Sequence, residues 1–560
     1  MFLTRWRQYQ DLALREDLLA ALVVSVLLIP QSLAYALLAG LPAHVGLYAS
    51  LLPLVLYAAL GSSPNLGVGP VAVLALMIGQ TLALAPAGIS ASDAALVLAA
   101  EVGLLMAAAA LLRLDALASL LSVPVLHGFE TGAALSIAMS QLPVLLGSPV
   151  HGNSIPQLWE QLQQTWQSGA PAWLPLTAAY GLATVLALWL ARRYAVTLLQ
   201  RWMSAARATM LARLLPLLIL IVAIAIAAGT GASRQGVALV GALPALHVPM
   251  SLPLADWALW RTMFPGALLI ALVGYVSSLV VGESLARKRG QRVEPRRELA
   301  GLAGANLAAA FTGGMPVAAS FSRSVLMMDA GSRTRMAGVW TAAFMAIAML
   351  FLSAPLAALP TAVLAATIVV AVLSVISLTP FVEAWRYSRP ECVLMVAVAV
   401  LTLLWGVSAA LGLGVLGSVA LLLQRTAKPH VALIGRVPGT EHYRNVERHE
   451  VECLDEVLGL RIDESLLFTN ARSLTDVVQQ HLAQHAKAER VVLLMSPVNS
   501  IDLSGLEALR DLHATLARQG VRLDLSEVKG PVLDRLKASD WQRWFKGRVF
   551  LSHHHGMLES

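Results

Sequence analysis

Cysteine is almost missing from this chain of 560 residues, which contains only Cys392 and Cys453. One lies in an apolar stretch and the other in a charged region, so a disulfide framework and a cysteine-based metal site are excluded, and both are predicted to be packing residues. Charged residues are also scarce: they make up 13% of the chain, whereas about 25% is usual for a soluble domain. Because 57% of the residues are hydrophobic, the composition predicts a membrane protein.

Long apolar stretches fill the first three quarters of the chain. Segments of about 20 apolar residues give roughly fourteen candidate spans between Asp17 and Gln424. After about residue 436 charged residues become frequent and apolar runs shorten to strand length. We therefore predict a membrane domain over residues 1–435 and a cytoplasmic α/β domain over residues 436–560. The first apolar stretch is long and lacks a small-residue cleavage site, so no cleaved signal peptide is expected.

Basic residues are concentrated in particular loops. They are Arg192, Arg193, Arg201, Arg207 and Arg213 after the sixth span, Arg287, Lys288, Arg289, Arg292, Arg296 and Arg297 after the eighth, and Arg5, Arg7 and Arg15 before the first. Residues 151–175 contain no Lys or Arg. The positive-inside rule then predicts that the protein lies in the inner membrane with both termini in the cytoplasm. The same rule explains the net charge of +7, because the basic residues lie in membrane loops next to the lipid. No nucleic-acid partner is therefore predicted.

Two Gly/Pro interruptions are the strongest functional signal. Residues 67–79 and residues 313–323 each begin a helix at such a break, and counting spans puts both breaks inside the membrane. A helix that begins in mid-bilayer directs unpaired N–H groups, equal to roughly half a positive charge, at whatever lies in front of it. An anion is the natural occupant. Two breaks in corresponding places predict a transporter built from inverted repeats, with its site between two half-helices.

The first span carries a polar pair. Gln31 and Tyr35 are four residues apart and share a helical face, and Pro30 adds a kink whose freed carbonyl needs a partner. A buried amide in hydrocarbon either bonds a neighbouring helix or lines a wet cavity, and both interpretations of Gln31 stay open.

Arg323 is the most costly residue of the membrane region, at roughly 2.5 to 3.5 kcal/mol if it lies at a helix centre. Near the start of the helix that follows Pro316, beside Ser320 and Ser322, its guanidinium could attract an anion. The alternatives are a structural ion pair with Asp329 or Glu283, or a side chain that reaches the membrane interface.

Three carboxylates could lie within the membrane. Glu283 belongs either to the eighth span, where it would bind a proton or a sodium ion, or to the cytoplasmic end of that span, where it would pair with the basic cluster. Glu130, in the sequence Leu126-His-Gly-Phe-Glu-Thr-Gly132, and Glu101 are weaker candidates.

The cytoplasmic domain alternates strands and helices. We predict strands over 457–462, 491–498 and 521–525, helices opening near 499–505 and over 531–536, and a helix cap at Asp502 or Ser504. The histidines 553–555 are predicted to form a solvated tail.

These segments together resemble the SulP sulfate permease family, related to animal anion exchangers. The resemblance is carried by Ile29–Pro42, Gly46–Tyr48, Val68–Pro70, Ser322–Ser324 with Gly331, and Val498–Glu507. The last segment is similar to the core of a STAS domain. The resemblance implies an all-α membrane domain of about fourteen spans in two inverted seven-span repeats, divided into core and gate, plus a small cytoplasmic STAS domain. It also implies a homodimer and an elevator motion.

The resemblance also implies a substrate site at Gln31, Tyr35, Val71, Ala72, Ser320, Phe321, Ser322 and Arg323. Glu283 matches an eighth-span carboxylate of some bacterial members and is the predicted coupling-ion residue. We therefore predict uptake of an anion, with sulfate favoured, coupled to protons or sodium, and no cofactor and no metal. Bicarbonate and dicarboxylates such as fumarate or succinate stay open as substrates.

Three rival functions remain to be weighed. A nucleobase permease would carry an acid where Ser322 and Arg323 stand. A non-transporting anion sensor or voltage-driven motor would move charge without flux. A membrane enzyme is disfavoured because the membrane region shows no nucleophile-base pair or metal cluster.

Overall fold

The computed structural model describes residues 13–114, 122–150, 152, 154–168, 173–243, 250, 252–254, 256–373, 376–427 and 430–559. Arg5 and Arg7 lie outside the described residues. The chain divides into two compact units, Met1–Ser418 and Val419–Ser560. The predicted domain boundary after residue 435 stays a prediction, although the sheet of the second unit already begins at Val431.

The first unit is helical. Its early helices are α1 (Leu14–Leu38), α2 (Ala43–Tyr48), α3 (Leu52–Leu60), α4 (Ala72–Leu82), α5 (Ala91–Leu111), α6 (Val123–Leu146), α7 (Ile155–Gln167), α8 (Pro175–Leu199) and α9 (Ala205–Thr230). Its later helices are α10 (Trp257–Lys288), α11 (Pro295–Phe311), α12 (Phe321–Asp329), α13 (Met336–Ala357), α14 (Thr361–Leu373), α15 (Thr379–Tyr387), α16 (Arg389–Trp405) and α17 (Val407–Thr426), the last of which crosses the unit boundary. Two strands of two residues each interrupt them, β1 (Val68–Gly69) and β2 (Ala318–Ala319).

Nine helical segments among the described residues are long and apolar enough to cross a membrane. Two shorter apolar helices, α4 and α14, accompany them. The polytopic helical membrane domain is therefore confirmed, and the count of fourteen spans stays a prediction.

Small residues let the helices approach closely. A side chain on Gly128 would lie 2.3 Å from the carbonyl oxygen of Met395, and one on Gly132 2.8 Å from that of Ala399. Likewise, Gly103 of α5 faces the backbone of Leu307 in α11. Backbone contact of this kind replaces the hydrophobic effect as the source of helix association in lipid.

A buried carboxylate joins α11 to the loop after α3. Glu298 is fully buried and accepts hydrogen bonds from Tyr57 Oη at 2.7 Å, Ser63 N at 2.9 Å and Ser62 N at 3.1 Å. The Ser62 hydroxyl donates to it as well. Several donors on one carboxylate stabilise its charge and fix the loop that leads into β1.

The second unit is a six-stranded sheet in the order β4-β3-β5-β6-β7-β8. The strands are β3 (Val431–Arg436), β4 (Tyr443–Asn445), β5 (Val457–Ile462), β6 (Arg490–Leu494), β7 (Arg522–Ser526) and β8 (Val549–Phe550). The helices are α18 (Ala471–Gln484), α19 (Leu503–Arg518), α20 (Gly530–Lys537), α21 (Trp541–Trp544) and α22 (His553–Leu558). Strands β5 to β8 run parallel, whereas β3 is antiparallel to both of its neighbours.

Two predictions for this unit need correction. The strand expected over 491–498 ends at Leu494, because the chain turns at Ser496 and Pro497 before α19, whose N-cap is Asp502. The histidines do not form a fully solvated tail: His555 is exposed, but His553 is only 2% exposed, and its Nδ1 lies 2.7 Å from the hydroxyl of Ser526. Its ring also packs edge-on against Tyr443. The tail is held because α22 covers the sheet with Met557.

Candidate functional site

Two short helices begin side by side at the centre of the first unit. Strand β1 pairs antiparallel with β2, with Val68 opposite Ala319 and Gly69 opposite Ala318. Each strand leads directly into a helix, α4 after Val71 and α12 after Ser320. Neither helix approaches the roughly 20 residues needed to cross a bilayer, so both are half-helices.

The strand pair is fixed by hydrogen bonds from its surroundings. Gly67 N donates to Ser324 Oγ at 2.9 Å, and Ser320 N donates to the Gly67 carbonyl at 3.1 Å. A side chain on Gly67 would lie 2.9 Å from Cβ of Arg323, so only glycine permits this approach. The two helix starts are therefore tied to each other as well as to their strands.

Helices α10 and α11 hold β2 from behind. Ser278 of α10 accepts a hydrogen bond from Ala319 N at 2.9 Å. Asn306 of α11 accepts from Val317 N at 2.9 Å and donates to the Val317 carbonyl at 3.0 Å. Sequence reasoning did not single out either residue; a buried Asn or Ser in an apolar helix was the available signal.

A cavity of about 140 Å³ lies in front of the two helix starts. Six of the eight predicted site residues line it, namely Tyr35, Val71, Ala72, Ser320, Phe321 and Ser322. Neither N-cap side chain bonds the first turn of its helix, so backbone N–H groups of both first turns remain available. The two positive helix ends therefore share one cavity.

Gln31 lines a second, larger cavity. This cavity of about 420 Å³ lies between α1, α8 and α9 and includes Arg192 and Thr209. Ser322 and Ala371 line both cavities, so the two are neighbours. The sequence indicates a role for Arg192 only in membrane topology and does not predict its position beside this cavity.

Arg323 lies behind the helix starts rather than in the cavity wall. It is fully buried, and its Nη1 donates to the Pro70 carbonyl at 2.7 Å and to Gln31 Oε1 at 3.3 Å. Its Nε and Nη2 have no hydrogen-bond partner among the described residues. The buried guanidinium thus adds a positive charge to the end that the half-helices already make positive.

The carboxylates are distributed differently from the prediction. Glu283 is exposed near the C-terminal end of α10 and is not among the residues that line either cavity. Glu130 lines the smaller cavity, and its carboxylate lies 3.5 Å from His127 Nδ1. Glu101 is 4% exposed within α5, away from both cavities. The role of Glu283 as a coupling-ion residue stays a prediction.

Comparison with known proteins identifies the class to which this fold and site belong. The profile of the Sulfate permease family matches residues 14–398, and that of the STAS domain matches residues 448–556. The chain belongs to the sulfate permease family and carries a C-terminal STAS domain. The family assignment made from the sequence motifs is confirmed.

Individual relatives match over nearly the full length. A protein of Mycobacterium tuberculosis named "Probable sulfate transporter MT1781" is 35% identical over 551 residues, covering 96% of this chain and 93% of its own length. "Probable sulfate transporter 4.2" of Arabidopsis thaliana is 30% identical, covering 97% and 81%. The solved structure of SLC26A9 superposes with a TM-score of 0.86 at 23% identity, over 98% of this chain and 90% of the other. The transmembrane domain of the cyanobacterial bicarbonate transporter BicA gives 0.59 at 21% identity, over 71% and 97%.

Proposed function

We propose that this protein is a secondary active anion transporter with sulfate as its favoured substrate. The observation that supports it most is the single cavity shared by two helix starts whose first-turn N–H groups carry no side-chain cap. Such ends bind anions through backbone N–H groups and the helix dipole together. The names of the full-length relatives favour sulfate among the possible anions.

Within this proposal the substrate contacts Ser320, Ser322 and the first turns of α4 and α12. Tyr35 supplies a hydroxyl from α1, and Gln31 and Arg323 act through the hydrogen bond that joins them behind the helix starts. Uptake is coupled to protons or sodium by an elevator motion in a homodimer. The protein lies in the inner membrane with both termini in the cytoplasm, and Glu283 remains the predicted coupling residue.

The test is uptake of labelled sulfate into proteoliposomes, with and without a pH or sodium gradient. We expect accumulation to follow one gradient and Gln31→Ala to weaken it. Gln141→Ala is the matched control, because Gln141 is an equally buried glutamine in a membrane helix that lines neither cavity. Uptake that ignores both gradients and Gln31→Ala would refute the proposal.

Bicarbonate and dicarboxylates compete with sulfate as substrates, because any small anion is attracted by the same helix ends. A competition panel of sulfate, bicarbonate, fumarate and succinate against labelled sulfate decides among them. Charge movement without flux of any of these anions would instead favour a sensor or motor.

We propose that the STAS domain lies outside the translocation path. Deletion from residue 436 would cut β3, which spans Val431–Arg436. Deletion of residues 431–560 is therefore the cleaner variant, and it should retain uptake.

A further inference from the structure

The cavity that faces the two helix starts also contains an acid. Glu130 lines it together with Val71, Ala72 and Ser320. In the part of the chain that the structure describes, Glu130 is the single carboxylate among the residues lining this cavity. A carboxylate there repels the anion that the helix ends attract, so its charge opposes the site it belongs to.

Glu130 comes from a different group of helices than the half-helices do. Helix α6 packs mainly against α16, α14 and α8 and less extensively against α4, whereas α4 packs mainly against α10 and α1, and α12 against α1 and α10. The acid and the helix starts thus line one cavity from different helices, whose main packing neighbours differ. Glu130 and His127 are each about two-fifths exposed, and Glu130 borders the cavity through which protons would reach the pair.

The charge of this pair depends on how many protons it holds. With none added it carries one negative charge, with one it is neutral overall, and with two it is positive. Each added proton favours an anion in the cavity, so proton binding and anion binding assist each other.

Among the described residues, the wall of this cavity holds no charged side chain other than Glu130. Helices α4 and α14 carry no Asp, Glu, Lys, Arg or His. From α1 the cavity receives Tyr35, and the α10 side chains in its wall, Val273, Ser277 and Val281, do not titrate. The remaining titratable groups on elements packed against α6, or acting on His127, are Glu160 of α7, Tyr180, Arg192, Arg193 and Tyr194 of α8, Glu383 of α15, and Arg389, Glu391 and Cys392 of α16.

We propose that Glu130, with His127, is a proton-binding site that sets the anion affinity of the cavity. The cavity binds anions more tightly as this pair takes up protons and less tightly as it loses them. This inference rests on the proposed anion transport and adds a control by pH that is separate from the driving gradient. Because the pair belongs to α6 and not to the half-helices, it need not travel with the substrate.

The experiment measures the KM for labelled sulfate in proteoliposomes made from the full-length protein. Both sides of the membrane are at the same pH and contain the same sodium-free potassium buffer, so no proton or sodium gradient contributes. Between about pH 5.5 and about pH 8, KM of the wild type should rise with pH, at most about tenfold per unit for one linked proton. Glu130→Gln/His127→Gln, which removes both proton-binding groups of the pair, should have a KM that does not change with pH.

Glu101→Gln is the matched variant, since it makes the same chemical change in a membrane-helix carboxylate that lines neither cavity. It should retain the wild-type slope of KM against pH at symmetric pH. Thermal unfolding of each variant in detergent checks that the fold is intact.

Three outcomes overturn the inference. The slope persists in Glu130→Gln/His127→Gln, or it is lost in Glu101→Gln, or wild-type KM is flat while uptake is intact. In each case the proposed transport function survives. If the wild type takes up neither sulfate, bicarbonate nor fumarate at any pH, the proposed function fails and this inference fails with it.

Discussion

Replacing Arg323 with glutamine should weaken anion binding far more than replacing it with lysine. The guanidinium is fully buried behind the helix starts, and Phe321 and Ser322, which line the cavity, precede it directly in the same helical turn. A turn of helix and a long side chain put the charge about 8 Å from the cavity. At an effective dielectric constant near 20, a unit charge at that distance attracts a monovalent anion by about 2 kcal/mol and sulfate by about 4 kcal/mol.

Lysine keeps this charge and glutamine removes it. For Arg323→Gln we therefore expect KM for sulfate to rise at least tenfold, and by less for a monovalent anion, whereas Arg323→Lys should stay closer to the wild type. Thermal stability should not fall in parallel, because glutamine removes two buried nitrogens, Nε and Nη2, that have no partner among the described residues. The assay pairs sulfate uptake kinetics with thermal unfolding in detergent.

A purely structural Arg323 predicts the opposite pattern. Its Nη1 joins the Pro70 carbonyl to Gln31 Oε1, and neither substitution reproduces that geometry. Equal losses of stability in both variants, with an unchanged KM in whatever protein survives, would refute the electrostatic reasoning.

Three further predictions concern buried polar groups. Glu298→Ala should lower the free energy of unfolding by about 3–5 kcal/mol, seen as a lower melting temperature in detergent, because its donors lose their charged acceptor. Asn306→Leu should lower the free energy of unfolding by about 1–3 kcal/mol and reduce uptake, because Val317 N loses its acceptor. Unchanged uptake would contradict this prediction. Burial lowers the pKa of His553 to about 4, so α22 should lose stability as pH falls from about 6.5 toward 4, by about 3 kcal/mol. Amide hydrogen exchange of residues 550–558 should show this loss of stability, and His553→Gln should remove its dependence on pH.

The half-helices were predictable because Gly and Pro mark them directly. The breaks at Gly69-Pro70 and Gly314–Pro316 precede α4 and α12 in the structure. The sequence pattern alone does not predict the pairing of β1 with β2, because the pairing joins residues about 250 positions apart and each strand has only two residues. Without that pairing, the burial of Arg323 behind the strands cannot be inferred, and a cavity-facing side chain is the natural expectation.

The glycines on either side of Glu130 are a sequence signal for the direction in which this residue points. Gly128 and Gly132 are four residues apart and turn one face of α6 onto the backbone of α16. Glu130 lies midway, about 200° around the helix from Gly128, and therefore points away from α16. Glu283 gave no such signal, because a carboxylate beside a basic cluster fits a helix end as well as a helix interior.

The anchoring of the half-helices makes the elevator proposal testable. Ser278 and Asn306 bind the β2 segment to α10 and α11, and α11 packs against α5, so these elements should move together. Spin labels at exposed positions of α5 (Leu104), α10 (Leu268) and α8 (Leu186), in a background without Cys392 and Cys453, measure the relevant distances. On addition of sulfate the α5–α10 distance should stay constant while the α8–α10 distribution shifts. A shift within the α5–α10 pair would show that the anchored helices do not form one moving body, because the hydrogen bonds to β2 would then have to break in each cycle.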